Sequence, residues 1–311
     1  MSRKRIECKP AEAAGPATDI NSETSSTPKA SSAKRKEPHQ LNRRHRLKVN
    51  LHVKRKKHYH VALLGDSISK GVVWDEDTCR YRVIPDNYAA LVGNRLKGSI
   101  LNRARFGMTL GRAMAKSMKD LDAIDAKERP DMVLIEYGGN DCDFDWEAIA
   151  RDPAAHHGPK TDLEVFRDLL RTLILRFSAN GVLPVVMTLP PLDADRYFDW
   201  VSRNSPEAAA NILAWLGTKN KIYWWQERYN AAILEVAAEM GVHVLDIRSA
   251  FLREPDYRNF LCADGIHPNA EGHRLMARRI GDWLERLCSR MLQVEGAKKP
   301  ETEPVLSGTD D

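Results

Sequence analysis

HVALLGDSISKG, residues 60–71, opens on the uncharged run Val61-Ala62-Leu63-Leu64 and passes straight into a turn. A short apolar run bounded by turn residues is what a strand covered on both faces requires. Gly65, Asp66 and Ser67 are all turn formers. A serine at a strand-to-helix turn stands at the sheet rim with its own N–H directed into the cleft. Working outward, four similar runs appear at 99–103 (SILNR), 131–137 (DMVLIEY), 182–189 (VLPVVMTL) and 242–247 (VHVLDI). Between them apolar residues recur at helical spacing. Tyr88, Leu91, Val92 and Leu96 share a face in 87–96, Leu163, Phe166, Leu170, Ile174 and Phe177 in 163–177. Ile233, Val236, Ala237 and Met240 do so in 228–240, and Leu275, Ile280, Trp283, Leu284 and Leu287 in 271–288. Asn180-Gly181 is a stop signal for the second of these helices. Strand–helix alternation through five strands predicts an α/β protein, a three-layer α/β/α sandwich around a five-stranded, mostly parallel sheet. Ligands on such sheets sit beyond the carboxyl ends of the strands.

The residues after each strand therefore decide the chemistry. The first strand is followed by Ser67, and the second by NRARFGMT, where Gly107 brings a bare backbone N–H near a ligand. The third ends in GGND, where the Asn140 amide is placed to donate to an oxygen that becomes negative. Before the last helix, DGIHPN puts Asp264 three residues ahead of His267, so that one turn carries a base and its orienter. Each residue type has an ordinary structural use. Together, in this order, they supply what acyl transfer needs: a hydroxyl, a base, a carboxylate to fix the base, and donors for an oxyanion.

GDSISKG, NRARFGMT, VLIEYGGND and DGIHPN also resemble, in order and in neighbouring residues, the four blocks of the SGNH (GDSL) hydrolases, over about residues 60–288. The resemblance implies a flavodoxin-like α/β/α fold and a serine esterase. It places the catalytic triad on Ser67, Asp264 and His267, and the oxyanion hole on the N–H groups of Ser67 and Gly107 and the side chain of Asn140. It calls for no metal or organic cofactor. The expected substrate is a carboxylic ester with a small or medium acyl group, an acetylated sugar among the candidates. An acyltransferase would use the same residues.

Composition frames these expectations. The chain has 311 residues, 42% hydrophobic and 29% charged, enough to bury a substantial core without staples. The net charge of +5 divides into +11 over residues 1–60 and −6 over the rest. Residues 1–58 read as a disordered basic tail, 59–291 as the hydrolase domain and 292–311 as a polar tail. The run RRHRLKVNLHVKRKKH at 43–58 suggests a weak anionic partner, and a competing reading makes the chain an RNA- or anionic-surface-binding protein led by it. No apolar run approaches the ~18–20 residues of a membrane span. The five cysteines are odd in number, widely spaced and without a CxxC pair, which argues against a disulfide framework and fits a cytoplasmic location.

Two segments exceed a minimal version of the fold, 142–161 and 191–227, and both follow strand ends, so both overhang the cleft. Trp200, Trp215, Trp224 and Trp225 in the second are candidate substrate contacts, as a lid would supply. Asp66 and Asp141 read as scaffold, Asp143 and Asp145 as surface charges, and His156-His157 as a solvated loop pair. A metal cluster of Asp66, Asp141, Asp264 and His267 is disfavoured, because one histidine and carboxylates on separate loops lack a ligand spacing.

Overall fold

The computed structural model describes residues 59–96, 99–115, 129–203 and 205–296, with side chains to 287. The expected tail 1–58, its basic run at 43–58 and the end of the C-terminal tail lie outside the described residues.

The chain runs β1 (His60–Gly65), α1 (Ser67–Lys70), β2 (Val72–Asp75), β3 (Arg80–Val83), α2 (Tyr88–Leu96), β4 (Ser99–Asn102) and β5 (Met132–Glu136). Then come α3 (Trp146–Arg151), α4 (Leu163–Ala179), β6 (Leu183–Met187), α5 (Ala194–Val201), α6 (Pro206–Leu216) and α7 (Asn220–Met240). It closes with β7 (His243–Leu245), α8 (Arg248–Leu252) and α9 (Ala270–Gly296). Five strands form one sheet in the order β4-β1-β5-β6-β7, and each pairing is parallel. All five expected strands are present in the expected layering. The direction of winding reverses at β1, and this is the switch point where ligands of such sheets bind.

Side-chain alternation divides the sheet between two cores. Ala62 and Leu64 of β1 and Val133 and Ile135 of β5 pack on the face covered by α4 and α7, beside Phe166, Leu170, Tyr229 and Ile233. Val61 and Leu63, with Met132 and Leu134, pack on the other face against Tyr88, Phe251, Met276 and Ile280 of α2, α8 and α9. Full burial of each aliphatic side chain contributes about 1.5–3 kcal/mol, so the central strands are the most strongly held part of the fold.

Three readings of the sequence change. β2 and β3 form an antiparallel hairpin that the sequence analysis passed over. Its β3 residues are mostly solvent-facing, so the hairpin leaves little apolar signal. The helix read over 228–240 begins at Asn220, so Tyr223, Trp224 and Trp225 lie on its first turns instead of in a separate insert. Ile222, Gln226 and Tyr229 face inward at helical spacing there, a pattern that the neighbouring aromatics hide. α9 continues to Gly296, past the 271–288 over which the sequence shows helical spacing. Cys142 and Cys262 are free and buried. Among the described residues no helix is long and apolar enough to cross a membrane.

Candidate active site

Asp66 follows β1 and caps α1, its carboxylate accepting the Ile68 N–H at 2.9 Å. Ser67 is thereby fixed as the first residue of a single helical turn at the switch point, only 6% exposed. Its hydroxyl meets His267 Nε2 at 2.8 Å, across 200 residues of chain. His267 Nδ1 lies 2.6 Å from Asp264 Oδ2, and the N–H groups of Ile266 and His267 donate to Asp264 Oδ1 at 3.0 and 3.1 Å. Burial pushes the Asp264 carboxyl up, but the His267 ring and the two backbone donors outweigh it, so its pKa lies below the ordinary carboxylate value. The structure thus brings Ser67, His267 and Asp264 into one continuous relay.

The loop that carries Asp264 and His267 is held at both ends. Cys262 N–H donates to His267 O at 2.8 Å, closing it on itself, and Asp193 N–H donates to Gly265 O at 2.8 Å, docking it on the start of α5. Gly265 adopts φ +74° there, and a Cβ would stand 2.7 Å from Asp193 O. Only glycine satisfies both demands.

Gly107 and Asn140 line the same cleft as Ser67 and His267. Gly107 has φ +63° and no atom within 4 Å of where a Cβ would stand. Asn140 Nδ2 donates to Asp66 Oδ2 at 2.9 Å. An amide has two such hydrogens, so one orients the group and the other is left for a ligand. Asp66 therefore does more than brace its turn: it couples the Ser67 helix to Asn140. Behind it Glu136, fully buried on β5, accepts Ser69 Oγ at 2.7 Å, and Tyr88 OH shares that hydroxyl at 2.6 Å. Burial and then the Asp66 charge push the Glu136 carboxyl well above its ordinary value. Sequence reading missed Glu136, Ser69 and Tyr88; the one available signal was an acid inside an apolar strand run. Asp141 is scaffold as expected: it accepts the Leu110 N–H at 2.9 Å and Thr161 Oγ1 at 2.7 Å, and burial raises it to about 6. Asp66, Asp141 and Asp264 thus bond to different donors, and among the described residues no three such side chains converge on one point.

The cleft measures about 1060 Å³, and Trp200, Trp215, Trp224 and Trp225 all border it. They also pack the wall together. Trp215 and Trp225 flank Phe144 at 5.0 and 5.4 Å between ring centres, and Trp200 meets Trp74 edge-on at 4.6 Å. Asp143, expected at the surface, is instead the pin between the two overhanging segments: it accepts Trp146 Nε1, Tyr197 OH and Lys160 Nζ, each at 2.7 Å. Asp145 caps α3 through the Ala148 N–H. His156 and His157 border the cleft too, His157 bonding to Asp152 O at 2.7 Å.

The sequence pattern of the GDSL-like Lipase/Acylhydrolase family matches residues 63–275, from the core of β1 into α9. The chain belongs to this family. Among curated proteins it is similar to the GDSL esterase/lipase CPRD49 of Arabidopsis thaliana, 24% identical over 186 residues, covering 59% of this chain and 65% of that protein. The GDSL esterase/lipase WDL1 of Oryza sativa subsp. japonica is 23% identical over 189 residues, covering 59% and 64%. The chain thus spans just under two thirds of the length of these relatives. Among solved structures, a catalytic mutant of the acetylxylan esterase Axe2 from Geobacillus stearothermophilus superposes with a TM-score of 0.50 at 19% identity, over 71% of this chain and 92% of that one. A lipolytic G-D-S-L family member from Veillonella parvula gives 0.51 at 14%, over 73% and 98%. At these identities the likeness is one of fold.

Proposed function

We propose that this GDSL-family chain is a carboxylic ester hydrolase in which Ser67 is the nucleophile, His267 the general base and Asp264 its orienter. The observation that carries the reading is the buried relay Asp264–His267–Ser67, with contacts of 2.6 and 2.8 Å. Ser67 Oγ adds to the ester carbonyl carbon while its proton passes to His267 Nε2. The imidazolium gives that proton to the departing alkoxide, and the acyl group stays on Ser67. Water then attacks, passing one proton to His267, and the acid leaves as Ser67 recovers its own. Asp264, held as a carboxylate, stabilises the imidazolium in both halves. The N–H groups of Ser67 and Gly107 and the free hydrogen of the Asn140 amide take the oxyanion.

The substrate we infer is an ester of a small or medium acyl group, with an acetylated sugar as a leading case. Two features support it: the tryptophan-lined cleft, which offers flat apolar faces edged by charged groups, and the acetylxylan esterase among the proteins of like fold. The test is hydrolysis of p-nitrophenyl esters from acetyl to dodecanoyl and of acetylated xylo-oligosaccharide. The wild type should turn over the short esters, and Ser67→Ala or His267→Ala should lose on the order of 10³–10⁶-fold in kcat. Full activity in Ser67→Ala removes the nucleophile assignment; a preference for dodecanoyl removes the short-acyl reading.

A further inference from the structure

We propose that Tyr81, on the β2–β3 hairpin, is a positioning residue that sets the basicity of His267 through Asp264; this rests on the triad reading above. The Tyr81 hydroxyl donates to Asp264 Oδ2 at 3.0 Å, the same oxygen that His267 Nδ1 approaches at 2.6 Å. Asp264 therefore has four donors on two oxygens, and the one from Tyr81 is the only one among them that comes from outside the 261–268 loop. A second contact keeps the hairpin in place: Trp74 N–H reaches Cys262 Sγ at 3.4 Å. The Tyr81 ring stands 5.2 Å from the His267 ring, with Trp74 at 5.0 Å and Trp200 at 6.1 Å on its other sides. Burial, then the charge of Asp264, keeps the phenol protonated through the working pH range, so it acts as a fixed donor.

The direction of the effect follows from the geometry. A hydrogen bond to the carboxylate spreads its charge and weakens its hold on the imidazolium proton. Without the hydroxyl, Asp264 favours the imidazolium more strongly and His267 titrates at higher pH. The other titratable groups facing this site are Asp66 from the start of α1, His273 from α9 and Cys262 from the loop itself, and Tyr81→Phe leaves all three in place. The substitution also keeps the ring and its packing.

The experiment compares kcat/KM for p-nitrophenyl acetate across pH in the full chain, for wild type, Tyr81→Phe and Ser67→Ala. The midpoint of the acid limb should rise by about 0.5–1 pH unit in Tyr81→Phe, with the plateau changed less than the rate at the wild-type midpoint. An unchanged or lowered midpoint overturns the proposal, even with a lowered plateau. As a readout independent of turnover, the His267 ring is titrated by NMR in a Ser67→Ala background, with and without Tyr81→Phe. The same upward shift is expected, and its absence again overturns the role. Inactivity of the wild type, or full activity of Ser67→Ala, defeats the triad reading instead and takes the proposal with it.

Discussion

Gly265→Ala perturbs the turn that carries Asp264 and His267 without touching either side chain. Two penalties are built into the position. The backbone sits at φ +74°, where an alanine costs about 1–2 kcal/mol. The new Cβ would also stand 2.7 Å from Asp193 O, 2.8 Å from Arg196 Cβ and 2.9 Å from Tyr197 N, two of them backbone atoms. Opening the first of these to ordinary contact needs a shift of roughly 0.7 Å. α5 cannot simply retreat, because Tyr197 OH donates to Asp143 Oδ1 at 2.7 Å and Tyr197 and Phe198 are packed into the neighbouring aromatic cluster. The 261–268 loop must give way instead. Misplacement on that scale costs on the order of 10–10²-fold in kcat/KM. Gly181→Ala is the matched control, since Gly181 has φ +73° but nothing within 4 Å of a Cβ. Ester hydrolysis and thermal melting of both variants separate the penalties. Gly181→Ala should lose stability and keep its activity, whereas Gly265→Ala should lose both. A Gly265→Ala variant as active as Gly181→Ala would refute the claim that this turn is pressed against α5.

On the proposed mechanism Asn140→Ala removes one oxyanion donor and should lower kcat by about 10²–10³-fold with the fold intact, as circular dichroism would verify; a loss under tenfold would take Asn140 out of that role. Asp143→Ala strips the shared acceptor from Trp146, Tyr197 and Lys160. It should cost about 1–3 kcal/mol in urea unfolding, and an unchanged midpoint would show that the two overhanging segments are held otherwise. His273 is fully buried, and burial lowers its pKa from 6.5 to about 4. The unfolded chain therefore binds this proton more readily. Its contribution to stability, about 3 kcal/mol, is whole above pH 6.5 and is lost as pH falls toward 4. His273→Phe should flatten the fall in unfolding free energy over that window, and an identical fall in both proteins would contradict the assignment.

What was legible in the sequence is what obeys a local rule. The apolar strand runs and the turn chemistry after them placed Ser67, Gly107, Asn140 and His267 at the right end of one sheet, because parallel strands order their carboxyl ends together. Asp264 was legible because it shares a turn with His267. The residues that were missed act across the fold. Tyr81 comes from a two-stranded hairpin with solvent-facing, charged neighbours, which no hydrophobic period reports. Glu136 occupies an inward strand position that ordinary patterning reserves for apolar side chains, and its partners Ser69 and Tyr88 lie on two different helices. Asp143 looked like a loop charge because its three donors come from helices and a loop that only tertiary packing assembles.

The proposed chemistry requires an activated serine at position 67. Intact-mass analysis of the full chain after exposure to a fluorophosphonate, followed by peptide mapping, tests that directly. A single adduct on Ser67 is expected, absent from Ser67→Ala and markedly slowed in His267→Ala. An adduct on another serine, or none on the folded wild type while a short ester is still hydrolysed, would contradict it.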